Sequence, residues 1–367
     1  MKKNVFLKVF AAIAVLAIVS CEKNDDDPKP DQVDTQLGGM EITTEITLDA
    51  TEAYELDGAC LVKAGGVLNI PAGTIITAKG NTTSYLLVEQ GGKIVANGTE
   101  AEPIVFTSTV KEAGSWGGLV LCGNAPCNKQ GASEVGNSPY GGTVADDNSG
   151  ILKYVRVEYT GYSFTDEKQF NGISFFGVGS GTQVSYISSY KGLDDGIEFF
   201  GGTVNADHVV SIESGDDGID FADGWNGTGS YWYAYNSTKS GVEGSNNGSN
   251  PEATPMTNAT LSNLTIYKMG EKPWFFKEGG GSQNITNIII GGLSASKDHA
   301  IFYAGGDPIY GTQTVTGAKF VDQVANQADT DVAGLTIGAD ANATGAGDYT
   351  DATTYEPNWA SSWAKGN

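Results

Sequence analysis

SYISSYKGLDDGIEF runs from Ser185 to Phe199, and DHVVSIESGDDGIDF runs from Asp207 to Phe221. Set 22 residues apart, Ile187 meets Val209, Gly196 meets Gly218, Ile197 meets Ile219 and Phe199 meets Phe221. A looser copy precedes them in Asn171-Gly172-Ile173-Ser174-Phe175. Strand-like runs that recur about every 20–25 residues define a solenoid whose repeats stack on their neighbours. Stacked strands lie about 4.8 Å apart, so equivalent residues form columns. Ile173, Ile197 and Ile219 are expected as one inward column, and Phe175, Phe199 and Phe221 as a second. Side chains alternate faces along a strand, which turns Ser174, Glu198 and Asp220 outward. Just before each strand, Asp194-Asp195 stacks on Asp216-Asp217, so six carboxylates gather on two adjacent coils.

The pattern extends in both directions. Upstream, the Gly65–Ile76, Tyr85–Thr99, Glu102–Ser108 and Gly114–Leu121 stretches alternate apolar and small residues around Gly-rich turns. Downstream, Tyr231-Trp232-Tyr233-Ala234-Tyr235 reads as an aromatic strand, and Gly241–Pro255 as a long loop or lateral insertion. Asn263 and Asn287 recur 24 apart, as if their amides stack at coil turns. The Ala325–Tyr355 stretch is rich in Ala, Asp, Gly and Thr, with weak periodicity. Trp359 and Trp363, four apart, suit one helical face that covers the last coil and hides its open strand edge. The expected fold is all-β: a single right-handed parallel β-helix over 41–367 with a C-terminal cap, of roughly a dozen coils at ~23 residues each.

Charge bounds the partners. The chain has 44 acidic residues against 21 Lys plus Arg, a net charge of -23, and Arg156 is its only arginine. Nucleic acid needs a basic surface, so it is excluded as a partner. An acidic surface attracts cations and also simply keeps a protein soluble.

Residues 1–20 carry Lys2-Lys3 and a short apolar run, too short to span a bilayer. Ala17-Ile18-Val19-Ser20-Cys21 resembles the lipobox of bacterial lipoproteins, which implies cleavage before Cys21 and its acylation, hence a membrane partner through lipid. Residues 21–40 read as an acidic tether. Its Glu22–Asp27 run also resembles the signal that sends Bacteroidota lipoproteins to the cell exterior, so outer-membrane localisation and outward display are expected. The coil series over roughly 60–290 is similar to right-handed parallel β-helix lipoproteins and adhesin-like surface proteins of Bacteroidota. That resemblance speaks to fold and is nearly silent on function.

Three readings of the carboxylates stay open. In the first, Asp-Asp-Gly is turn chemistry repeated because the coils repeat. Like charges on neighbouring strands repel, however. In the second, Ca²⁺ relieves the repulsion, with Asp194, Asp195, Glu198, Asp216, Asp217, Asp220 and Asp223 as candidate ligands. The absence of Lys or Arg from 192–223 favours a cation over salt bridges. In the third, Gly215-Asp216-Asp217-Gly218-Ile219 resembles the catalytic motif of polygalacturonases, which implies Asp195, Asp216 and Asp217 as catalytic residues of a polysaccharide hydrolase or lyase. The chain lacks that family's His flanked by Gly and its Arg-Ile-Lys motif.

Trp225, Tyr231, Trp232 and Tyr233 are candidate platforms for sugar faces, with core packing as the competing role. His208 aligns with Tyr186 on a strand, which suggests structure rather than catalysis. Cys122 and Cys127 either close a small disulfide loop or remain buried thiols, and Cys60 has no evident partner. The function expected is ligand binding by the β-helix flank, with glycan first and an outer-membrane transporter subunit or adhesin second. The enzyme reading comes third.

Overall fold

The computed structural model describes residues 34–366 apart from 130, 135, 166–167, 294–300, 323–329 and 331. The leader, Cys21 and most of the tether lie outside the described residues. No described helix is long and apolar enough to cross a membrane.

Among the described residues, two long sheets of ten and fourteen strands form, and every pairing within them is parallel. Each central coil places a short strand in the smaller sheet and then a longer one in the larger. Ile197–Phe200 and Asn205–Ile212 form one such coil, and Ile219–Ala222 and Thr228–Tyr235 the next. The chain is therefore an all-β parallel β-helix. Parallel crossovers favour the right hand that the sequence predicts.

The expected register holds. Ile173 pairs with Ile197 and Ile197 with Ile219, while Phe175, Phe199 and Phe221 form the adjoining column. All six are fully buried. Phe175 and Phe199 stack with centroids 5.0 Å apart.

The longer strands bend at one residue per coil. Ser185 pairs with Asp207 and Ile187 with Val209, but Tyr186 and His208 between them have φ of 53° and 55°. Tyr154, Tyr231, Asn263 and Asn287 occupy the same column with φ of 49–60°. Non-glycine side chains enter this region at a cost, and neighbours must compensate. Here Tyr186 and His208 stack at 4.2 Å and His208 and Tyr231 at 4.6 Å. Further along, the Asn287 amide donates to Asn263 Oδ1 at 2.6 Å, the stack expected from their spacing. His208 is thus structural, as its alignment suggests.

Two expectations change. Gly241–Pro255 is not a loop throughout, because Ser240–Ser245 is a fully buried strand paired with Ile219–Ala222 and Lys272–Lys277. Trp359 and Trp363 sit in turns, not on a helix, and cap a flank rather than the last coil. Trp363 packs edge-on against Tyr154 at 5.4 Å, and Trp359 against His208 at 4.6 Å. The tail goes there because the aromatic column offers it an apolar wall. Arg156 Nη1 donates to the Trp363 carbonyl while Arg156 Nε pairs with Glu158 at 2.7 Å. Of the two alternatives open for the cysteines, the second holds: Cys60, Cys122 and Cys127 are buried free thiols.

Candidate functional site

The carboxylate cluster forms where the turn entering each short strand stacks on the next. Asp217 N–H donates to Asp195 Oδ1 at 2.9 Å, and Ser240 N–H donates to Asp217 Oδ1 at 2.5 Å. These two aspartates therefore tie successive turns together, as turn chemistry predicts. Carboxylate oxygens of Asp194, Asp195 and Asp216 lie within 4.8 Å of one another, and those of Asp195, Glu198 and Asp220 do the same. Asp195, Glu198, Asp217 and Asp220 are each less than a tenth exposed.

Sequence reasoning missed Glu243. It pairs with Asp220 one strand on, extending the outward Glu198–Asp220 column. The signal was present, since Gly241-Val242-Glu243 stands 23 residues after Gly218-Ile219-Asp220. The reading that the cluster lacks basic partners is also corrected. Lysines arrive from other segments: Lys239 reaches Asp216 at 2.6 Å, Lys277 reaches Glu243 at 2.9 Å, and Lys129 lies 3.6 Å from Asp223. Asp223 faces Lys129 and belongs to neither oxygen group. Asn171, another residue the sequence reading passed over, donates its amide to Glu198.

Burial, then the charge of Asp216, pushes the Asp194 carboxyl up to about 7. Burial and neighbouring carboxylates hold Asp195, Glu198 and Asp220 well above the ordinary range. Glu243 rises to about 8, from burial and then Asp217, despite Lys277. A carboxyl with a raised folded-state pKa binds its proton more tightly folded than unfolded. Its stabilising contribution is complete below the unfolded value near 4 and is lost as pH rises through the folded value. Metal-free protein is therefore expected to melt several degrees higher at pH 5 than at pH 8 in chelator. A melting temperature that climbs over this interval would contradict a protonated cluster.

The aromatic candidates divide. Trp225, Trp232 and Tyr233 are at most 1 % exposed and are not available to a ligand, which corrects the sugar-platform expectation. Trp225 and Trp232 fill the interior beside Phe199, and Tyr233 is covered by the tail, donating to the Thr354 carbonyl at 2.9 Å. Tyr231, at 37 %, remains exposed.

Beside Tyr231 lies a surface that no short motif announces. Before its bend, the larger sheet presents two outward rows. Gln183, Asn205, Thr228, Thr260, Asn284 and Thr314 form one, and Ser185, Asp207, Ser230, Ser262, Thr286 and Thr316 the other. Six coils at about 4.8 Å per step make a strip roughly 24 Å long. Eleven of these twelve side chains are uncharged. The exception, Asp207, is bound by His208 Nδ1 at 2.6 Å and Ser230 Oγ at 2.5 Å. A groove of about 250 Å³ opens on the strip at Gln183, Ser185, Asn205, Asp207, Thr228 and Ser230.

The family model of the pectate-lyase-like β-helix domain matches residues 40–364. The chain belongs to that family. Two solved structures are similar to this pectate-lyase-like β-helix. One is full-length tailspike protein 2 from Escherichia coli O157:H7 bacteriophage CAB120, at 10% identity and TM-score 0.32, over 72% of this chain and 35% of that one. The other is the enzymatically active domain of bacteriophage CBA120 tailspike protein 2, at 11% identity and TM-score 0.29, over 72% and 38%. The β-helix thus spans little more than a third of either tailspike chain. No curated protein matches it.

Proposed function

We propose that this protein is a lipid-anchored outer-membrane protein, displayed outward, whose β-helix flank binds glycan along the two polar rows. The observation that carries this reading is the neutrality of the strip on a chain of net charge -23. Hydroxyl and amide groups repeat at strand spacing there, and they hydrogen-bond to a ligand that itself repeats hydroxyls. Tyr231, part-exposed although it stacks on His208, adds an aromatic side chain at the edge. A protein partner would instead call for apolar anchors at the centre of the patch. The Cys21 lipobox and the acidic run after it support anchoring and display.

The catalytic alternative assigned to Asp195, Asp216 and Asp217 draws less support. A general acid or base must reach its substrate, and Asp195 and Asp217 are buried and bound to backbone. A glycan array and affinity electrophoresis through neutral polysaccharides test the binding reading. Asn205→Ala and Thr260→Ala are each expected to weaken retention about threefold to tenfold, the value of one hydrogen bond. Unchanged retention in the double variant would move binding off this strip.

A further inference from the structure

We propose that Asp195, Glu198 and Asp220 form a buried site between coils for one hard divalent cation of the calcium class. This inference is independent of the glycan reading, since it concerns the other sheet. All three residues are 8 % exposed, and their carboxylate oxygens lie within 4.8 Å of one another. Calcium bonds oxygen at about 2.3–2.6 Å, so two ligands on one ion stand at most about 5 Å apart. The observed spacing meets that condition.

The second observation is the state of the oxygens. Asp220 Oδ1 is buried without a hydrogen-bond partner. A buried carboxylate oxygen left this way is costly unless something positive or donating meets it. Asp195 uses Oδ1 for the Asp217 N–H, and Glu198 uses Oε2 for the Asn171 amide, which leaves one further oxygen on each. Neighbouring lysines do not fill the gap. Lys239 is held by Asp216, Lys277 by Glu243 and Lys129 by Asp223, and among the described residues none forms an ion pair with the triad.

The donor set chooses the ion. It is all oxygen, with no imidazole or thiol in either group, which suits a hard cation rather than zinc. Turn carbonyls and water complete a coordination shell of about six to eight. The triad spans the strands Ile197–Phe200 and Ile219–Ala222 and the turn before the first, so the ion would clamp two coils.

The test uses the purified full chain, stripped with chelator and titrated with calcium alone by isothermal calorimetry, with magnesium alone as comparison. One saturable calcium equivalent per chain is expected, together with a melting temperature several degrees above that in chelator. Asp220→Asn and Glu198→Gln should each lower calcium affinity at least tenfold and abolish the gain. In chelator at pH 8 both variants should melt no lower than wild type, because each replaces an ionisable carboxyl of a crowded cluster with a neutral amide. Asp146→Asn, at an exposed remote carboxylate, should change nothing. Absence of stoichiometric binding at millimolar calcium overturns the site. So does wild-type affinity in both triad variants.

Discussion

Phe199→Ala is expected to destabilise the protein by about 3–5 kcal/mol, the cost of emptying a buried aromatic site. Phe199 is fully buried between Phe175 and Phe221 in the inward column. It also stacks on Trp225 at 4.9 Å and lies 5.9 Å from Trp232, so the lost ring faces rings on several sides. Coils on either side are fixed by hydrogen-bonded ladders at strand spacing and cannot close around the gap. In a solenoid, moreover, each coil is stabilised only by its neighbours, so one weak interface divides the stack. Urea melts followed by tryptophan fluorescence and circular dichroism should shift together, or split into two transitions if the stack breaks at this coil. Ile75→Ala, at a residue 51 % exposed, serves as the control and should cost under about 1 kcal/mol. A Phe199→Ala loss as small as the control's would mean that the ladder does not carry the core.

Trp363→Ala is expected to release the C-terminal tail, with a local loss of about 3–5 kcal/mol. Trp363 is fully buried, donates its indole N–H to the Trp359 carbonyl at 2.8 Å, and meets Tyr154 and Tyr186 edge-on. Around it the tail buries Val210, Ile212 and Tyr233, which lie outside the main core. Among the described residues 346–366 make no ladder with the coils, so detachment of the tail need not unfold them. Hydrogen exchange should therefore rise at 346–366 and around Val210 and Ile212, while the Phe199 coil stays protected. Limited proteolysis should cut the variant near its end and leave a folded body. Global unfolding at the same midpoint as the tail would instead make the tail part of one cooperative unit.

The inward ladders were legible from sequence because two local regularities coincide there. Alternation along a strand places Ile197 and Phe199 inward and Glu198 outward, and the 22-residue interval stacks each on its counterpart. The carboxylate column and the Asn263–Asn287 pair follow from the same rule. Glu243 obeys it too and was hidden only by the Gly- and Asn-rich residues after it.

Other features needed the folded chain. Tyr231 sits at φ 55°, and a left-handed residue resets the alternation of the strand that contains it. No count of odd and even positions in Tyr231–Tyr235 could then say that Tyr233 is covered, by a tail that supplies the Thr354 carbonyl, while Tyr231 stays in solvent. Lys277 meets Glu243 from 34 residues away, at the end of the next coil's strand, and Lys129 meets Asp223 from a lateral loop. Trp363 finds Tyr154 across 209 residues by packing alone. Periodicity in this sequence determined the helix, its register and the stacking of its acids, because those depend on residues one coil apart. Which charges are paired, which rings are covered and which rows stay open depended on contacts with no fixed interval, and only the tertiary structure decided them.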